Sequence, residues 1–489
     1  LLAGTIRMNS RLASEKPDQG LTEAWQAYYR KAAIELPAHP AARDFLERDL
    51  RETLARWIPP DASVLDVGCG TGELLASLPN PDRVGIASPP EVAAEARRRH
   101  PGLAIEAAEI DNLPPGRRFD AVICNRLCHS VADIRNLLAN LRERTSEHGR
   151  LFLVVYNYLW EVPARMAELA GFKLPAPTSN WLSHRDFENL FDITGLETVR
   201  FEDRMILPSD VPGLAPLLNR YLGKLPGWQR LSMYRIYALR RRESLTEPRQ
   251  VSVSVVVPAR NEAGNIAAAI ARTPLMGKKT EIIFVEGGSS DGTWEAIQAA
   301  LAAYRGPLEL RAVRQQGQGK GDAVRLGFSQ AQGDVLMILD ADLTVPPEEL
   351  LVFYDVIARG LGDFVQGTRL VYPMDPGAMR FFNKLGNIAF SQLFTYLLQQ
   401  PIKDTLCGTK VLWRRDYERI AAARHFFGDL DPFGDFDLIF GAAKLNLKIV
   451  EVPVRYRERV YGETNISRWR HGWLLLKMAG VAARKLRYV

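Results

Sequence analysis

From about residue 61 the chain alternates short apolar runs with longer stretches of helical period. Residues 64–67, 83–86, 119–124 and 149–156 read as buried strands with helices between them. That alternation predicts a parallel α/β sheet. The pattern restarts once, with apolar runs at 251–257, 281–285, 308–313 and 334–339. Residues 208–250 separate the two series; they are rich in Pro, Leu and Arg and end in the polar run 240–247. A seam is therefore expected near 243–249. Ahead of the first series, residues 21–36 and 41–57 have helical patterning. The expected organisation is a helical cover over 1–60, an α/β domain over 61–243, a linker over 244–250, and a second α/β domain over 251–489.

Composition narrows this picture. With 489 residues, the chain exceeds one ordinary core. Its 47% hydrophobic and 25% charged content excludes a disordered or collagenous protein. Four cysteines make no disulfide framework, which favours a reducing, cytoplasmic setting. The longest apolar candidate, around 388–402, is broken by Ser391, Gln392, Gln399 and Gln400, so no membrane span is expected. The first residues lack the basic start and apolar run of a secretory leader. The chain opens at Leu1, ahead of its first methionine at Met8, so its natural start is expected elsewhere.

A net charge of +6 is too small to imply nucleic acid, and no zinc-finger or aromatic-basic motif accompanies it. Nine basic residues from Arg455 onward face only Glu458 and Glu463. Such a segment suits diphosphates or an anionic membrane surface, or is a solvated basic face.

The strand at 64–67 runs into Gly68-Cys69-Gly70-Thr71-Gly72, then a helix. Glycines there permit positive φ and let backbone approach a ligand. The strand ends where a doubly wound sheet has its crevice. The string Val64-Leu65-Asp66-Val67-Gly68-Cys69-Gly70-Thr71-Gly72 resembles motif I of class I S-adenosylmethionine-dependent methyltransferases. The resemblance extends over about 43–242. It implies S-adenosyl-L-methionine as cofactor, held by Asp66, Gly68, Gly70 and Gly72, with Glu109 meeting the adenine amino group. Residues 119–125 with Cys128-His129 resemble the fourth strand and its loop, and Asn180-Trp181-Leu182-Ser183 the acceptor side. One position departs: the family ends its second strand with an acidic residue for the ribose, and here Ala87 stands there. His129 suits a general base by its ordinary pKa of about 6.5, or a structural place in a loop. Cys124 and Cys128 lack the second pair that a tetrahedral metal site needs.

In the second series, three strands end in polar or acidic loops: Pro258-Ala259-Arg260-Asn261-Glu262, Glu286-Gly287-Gly288, and Asp340-Ala341-Asp342. Two carboxylates flanking a small residue at a strand exit can hold one hard divalent cation beside substrate phosphates. Residues 251–470 resemble a family-2 glycosyltransferase of the GT-A fold, close to the dolichyl-phosphate mannose synthase-like group. By that resemblance Pro258, Arg260 and Glu262 border the nucleotide, and Glu286 helps select its base. Gly287 replaces a neighbouring family aspartate, so the base stays open. Lys320 lies near the nucleotide, Asp340, Ala341 and Asp342 form the site of Mg or Mn, and Arg369 faces the diphosphate. Asp437 matches the late acidic position, a catalytic base for an acceptor hydroxyl, with Asp435 the alternative. Arg459 and the loop 461–465 resemble the basic segment that closes over the diphosphate.

The expected fold is thus two Rossmann-like α/β domains, a class I methyltransferase fold followed by a GT-A fold. The expected function is metal-dependent inverting transfer from a nucleotide-sugar to a polyprenyl phosphate or glycan, with methyl transfer in glycolipid or surface-glycan synthesis. The alternative is a glycosyltransferase whose N-terminal domain is a non-catalytic binding module. Residues 381–398 and 469–486 are expected as helices, lying on the inner face of the membrane or packed on the domain.

Overall fold

The computed structural model describes residues 19–32, 41–110, 116–171, 174–242, 245–369, 371, 381–426, 434–457, 459, 461 and 468–488. It divides into two compact units, one up to Arg241 and one from Arg242. Each is built on a seven-stranded sheet.

The strands of the first unit are β1 (Val64–Val67), β2 (Arg83–Ala87), β3 (Ala104–Ala107), β4 (Phe119–Asn125), β5 (Thr145–Tyr156), β6 (Leu196–Arg204) and β7 (Tyr234–Arg241). Their order is β3-β2-β1-β4-β5-β7-β6. β1 pairs in parallel with β2 and β4, while β7 runs against β5 and β6. The order reverses between β1 and β4, which places a crevice beyond their C-terminal ends. Helices cover both faces, so β1 is buried at every position, apolar at Val64, Leu65 and Val67, with Asp66 the one exception. Val64 packs with Leu50 and Leu54 on one side, and Leu65 and Val67 pack with Leu137 and Leu141 on the other.

The helix Ala41–Trp57 buries Leu46, Leu50, Leu54 and Trp57. Asp49 fixes it to the sheet by accepting from Arg204 at 2.6 and 2.9 Å and from the Tyr234 hydroxyl. The preceding helix runs Gln19–Arg30; of the expected 21–36, residues 33–36 lie outside the described residues. Trp25 and Tyr29 tie it down through Thr178 and Ser130. The helix His184–Thr194 starts on a reciprocal cap between Ser183 and Asp186, and Gly195 ends it in the left-handed region at φ 68°.

In the second unit the strands are β8 (Ser252–Ala259), β9 (Lys279–Glu286), β10 (Glu309–Arg314), β11 (Val335–Ile338), β12 (Phe364–Thr368), β13 (Lys410–Trp413) and β14 (Ile449–Pro453). The order is β10-β9-β8-β11-β13-β12-β14, with β13 antiparallel to its neighbours. β8 and β11 are adjacent and parallel, so the loops after both open on one edge of the sheet. The helix Phe381–Leu398 sends Phe394, Leu397 and Leu398 into a core shared with Phe436, Phe440, Leu475 and Met478. The helix Arg468–Ala482 packs on that core through Leu475, Met478, Ala479 and Ala482. Among the described residues no helix is long and apolar enough to cross a membrane.

Candidate functional site

In the first unit β1 delivers Asp66 and the glycine turn to the crevice. Gly68, Gly70 and Gly72 have φ of 76°, 56° and 90°. A Cβ at Gly68 would stand 2.6 Å from a Leu127 methyl, whereas one at Gly70 would meet nothing within 4 Å. The turn is therefore tight on one side and open on the other. Asp66 is 1% exposed, and neither carboxylate oxygen has a hydrogen-bond partner. Burial, and then the charge of Glu47, push its pKa up to about 7. Glu47 is itself brought in by the helix Ala41–Trp57 and pairs with Arg126, which also bonds Tyr156 at 3.1 Å. A buried carboxylate without a donor is costly unless a ligand supplies one. The cationic amino-acid end of S-adenosyl-L-methionine has the charge and donors that Asp66 lacks, so these residues fit that group.

Glu109 follows β3 and is exposed, which leaves it open to a ligand; residues 111–115 lie outside the described residues. Ala87 ends β2 beside β1 and is 1% exposed. The next carboxylate in sequence, Glu91, pairs with Arg30 at 3.1 Å. His129 is buried; its Nε2 accepts from the Tyr156 backbone N–H at 2.9 Å, and its ring packs on Trp181. That is a structural setting. Cys124 and Cys128 are both buried, and no group of three metal-ligating residues occurs among the described residues.

In the second unit the loops after β8, β9 and β11 converge. Pro258 is half-buried at the end of β8, and Arg260 is exposed just beyond it. Glu286 is buried at the end of β9 and accepts from the Ser289 N–H at 2.5 Å. Glu262 is buried against Asn265 at 2.7 Å, and burial raises its pKa. Asp340, buried Ala341 and Asp342 follow β11. Asp342 Oδ1 accepts from the Thr344 N–H and hydroxyl at 3.1 and 2.8 Å, and Oδ2 from Arg459 at 2.5 Å. Arg459 also reaches Glu262 at 3.4 Å. Lys320 Nζ lies 2.5 Å from Asp340 Oδ1. Burial opposes the Lys320 charge, but Asp340, Asp435 and Asp342 outweigh it and hold the ammonium above the ordinary lysine range. Burial would likewise raise Asp340, yet Lys320, Lys410 and Arg369 hold it below the usual carboxylate range. A Cβ at Gly408 would stand 2.0 Å from Asp340 and 2.4 Å from Lys320, so glycine is what lets the segment before β13 pass this pair.

Asp340 Oδ2 takes no hydrogen bond among the described residues, whereas both Asp342 oxygens are engaged. Oxygen ligands of this kind fit a hard divalent cation, provided Arg459 leaves Asp342 for the donor's phosphates.

The two acidic residues of the late motif separate. Asp435 accepts from fully buried Lys410 at 2.8 Å and belongs to the Lys320–Asp340 cluster. Asp437 lies two residues on, about 200° around the helix Asp435–Lys444. It faces Arg325 at 3.2 Å and Arg424 at 3.8 Å. Arg325 is five residues beyond Lys320 on the helix Lys320–Gln330, about 7.5 Å of rise away. The geometry therefore brings the alternative, Asp435, to the cluster and leaves Asp437 aside. The segment Asp404–Lys410, which by resemblance supplies the acceptor side, contributes Asp404 to Arg369 and Lys410 to Asp435. Of the loop 461–465, residues 462–465 lie outside the described residues, while Tyr461 donates to Asp291 at 3.2 Å.

Arg369 is committed to Asp404 through two bonds of 2.7 and 2.9 Å, and Asn387 adds a third at 2.8 Å. Burial works against the Asp404 charge, but Arg369 prevails and its pKa falls to about 2. Arg369→Ala leaves that carboxylate buried and short of charge, so a loss of about 3 kcal/mol is expected in denaturant unfolding at pH 7. The wild-type advantage is full above the unfolded carboxylate pKa of about 4 and fades as pH falls toward 2. The gap between variant and wild type should narrow over that window.

Comparison with known proteins gives one family match in each unit. Residues 39–200 match the family model described as methyltransferase domain, and residues 254–420 match glycosyl transferase family 2. The chain is 29% identical over 255 residues to dolichol-phosphate mannosyltransferase of Pyrococcus furiosus, a match that covers 49% of this chain and 67% of that protein. It is 28% identical over 222 residues to undecaprenyl-phosphate 4-deoxy-4-formamido-L-arabinose transferase of Pseudomonas aeruginosa, covering 45% of this chain and 61% of that one. Among solved structures, an S-adenosylmethionine dependent methyltransferase of Mesorhizobium loti aligns with a TM-score of 0.31 at 18% identity, over 39% of this chain and 96% of its own. Glucosyl-3-phosphoglycerate synthase of Mycobacterium tuberculosis, solved with Mn2+ and UDP, aligns with a TM-score of 0.35 at 18% identity, over 48% and 80%.

Proposed function

We infer that this enzyme, a methyltransferase domain joined to a glycosyl transferase family 2 domain, moves a sugar from a nucleotide-sugar to a polyprenyl phosphate and a methyl group from S-adenosyl-L-methionine. The observation that carries the sugar transfer is the meeting of Asp340, Asp342, Lys320 and Arg459 beyond β11. Four cations (Lys320, Lys410, Arg369, Arg459) stand there against five carboxylates (Asp340, Asp342, Asp404, Asp435, Glu262). A diphosphate adds roughly two more negative charges, which a divalent cation would offset. That cation would sit on Asp340 and Asp342 and stabilise the departing nucleotide. Lys320 and Arg459 then supply donors to the phosphates, and Glu262 and Glu286 border the nucleotide. Mannose and arabinose transferases among the relatives are named for dolichol phosphate and undecaprenyl phosphate acceptors, which supports a polyprenyl phosphate here. A phosphate attacks the anomeric carbon without losing a proton, so Asp435 would orient the acceptor. With a glycan hydroxyl, the other acceptor class, Asp435 would take the proton, and Asp437 is the second candidate.

The test is transfer from a nucleotide-sugar to polyprenyl phosphate with and without EDTA. Chelation is expected to lower the rate at least about 100-fold, with recovery on adding Mg2+ or Mn2+. Full activity in EDTA would remove the cation from the scheme. A second reading, in which the first unit only binds and does not methylate, is favoured by one observation, Ala87 in place of a ribose-binding carboxylate.

A further inference from the structure

The edge of the first sheet that carries the glycine turn also carries an uncovered apolar rim. β6 ends and β7 begins at that edge, because β7 runs against β5 and β5 runs with β4 and β1. The connection between β6 and β7 exposes Leu214, Leu217, Tyr221, Leu225, Trp228 and Leu231. The segment after β5 adds Val162, Met166 and Leu169, the last 90% exposed, on the helix Glu161–Leu169. The two segments are pinned together: Trp160 Nε1 donates to the Leu231 carbonyl at 2.9 Å, and Asn157 Nδ2 to those of Arg230 and Ser232 at 2.7 and 2.9 Å. The rim is thus a fixed surface of the fold.

Its longer segment is one-sided in charge. From Val211 to Arg235 the sequence has no Asp or Glu and four basic residues. Lys224 and Arg235 turn inward to Glu202 and Asp203 at 3.0 and 2.6 Å. Arg220 and Arg230 stay exposed among the leucines. Opposite, Glu161 is paired with Arg165 at 2.6 Å. The helix also carries Glu168, and Asp210, ahead of Val211, pairs with Arg48 at 3.0 Å. Exposed leucines with a Trp and a Tyr, beside two exposed arginines, match the requirements of the interface of an anionic bilayer. Aromatic rings settle at headgroup depth, and each cation near such a surface adds attraction. A bound lipid tail would be met by a groove; these side chains are instead exposed.

We propose that this rim docks the methyltransferase unit on an anionic membrane surface, with the cofactor crevice held at the lipid headgroups. The proposal stands on the first unit alone and does not depend on the reading of the sugar-transfer site. Its methyl acceptor would then be a membrane-borne molecule.

Flotation of the full chain with phosphatidylglycerol–phosphatidylcholine vesicles, and with phosphatidylcholine alone, tests it. Binding to the anionic vesicles is expected, at least about tenfold weaker on neutral ones and weakened by 0.5 M salt. Leu217→Ser with Trp228→Ser should reduce it about 30-fold or more, from the apolar area withdrawn. Arg220→Glu with Arg230→Glu should reduce it comparably and flatten the salt dependence. Both pairs are exposed, and an unchanged melting temperature shows that the fold is kept. No binding of the wild type to anionic vesicles would overturn the proposal, as would full binding by both variants. So would a self-association that the Leu217/Trp228 variant abolishes while vesicle binding is absent.

Discussion

Replacing Asp342 by Ala is expected to lower sugar transfer about 10³-fold while leaving cofactor binding by the first unit unchanged. Two effects add. The carboxylate is one of two that would hold the cation, and preorganised charge of this kind contributes 100- to 1000-fold per group removed. Its loss also leaves Arg459 with Glu262 alone, at 3.4 Å, so the guanidinium is no longer held toward Thr344 and β11. A steady-state assay with saturating donor separates the two, because loss of the cation lowers kcat and drift of Arg459 raises the donor KM. Retained transfer at the wild-type rate would mean that the acidic pair is only a turn between β11 and the next helix.

Asp66→Asn should abolish the linkage between proton release and cofactor binding. With its carboxyl pushed up to about 7 by burial, wild-type Asp66 is protonated in acidic solution and cannot meet a cation. Titration of S-adenosylhomocysteine, which keeps the amino-acid end, should therefore give an affinity that rises about tenfold per unit up to pH 7 and levels off above it. The Asn variant should bind about 10- to 100-fold more weakly at pH 8, with little dependence on pH. Stability moves the other way. A folded pKa above the unfolded value near 4 means that the free protein loses stability as pH climbs from about 4 to 7. Removing the charge should accordingly raise the melting temperature of the free protein at pH 8. Weaker binding together with a more stable fold marks a carboxylate kept for a ligand. Equal binding by both proteins would reassign Asp66 to the fold, and absence of binding in either would favour the docking-module reading that Ala87 motivates.

Both glycine-rich and acidic turns were legible because they sit where periodicity stops: β1 and β11 are apolar runs, and the residues after each strand must be polar and sharply bent. The cover helix over 41–57 was legible from its spacing, but its electrostatic work was not. Glu47 reaches Arg126 and Asp49 reaches Arg204 across 79 and 155 residues, and no local pattern encodes such pairs. The choice between Asp435 and Asp437 depends on the rotational phase of one helix, which the packing of Phe436 and Phe440 against Phe394 decides. β7 was hard to see for a different reason. Its arginines look like a linker until Arg235 and Arg240 are matched with Asp203 and Glu197 on the neighbouring strand. The apolar rim escaped notice because leucines spaced among prolines and arginines have neither helical nor strand period over a useful length.

Arg459, shared between Glu262 and Asp342, pairs the site's own charges with one another. On the proposed scheme a cation arriving alone would meet a guanidinium on its ligand, and a diphosphate an arginine already engaged. Each would remove the obstacle to the other, since phosphates would draw the arginine away and a cation would take over its carboxylate. Their affinities are then reciprocal, each strengthening the other by the same factor. An assay that titrates either one alone should then record weaker binding than the same titration with the other present.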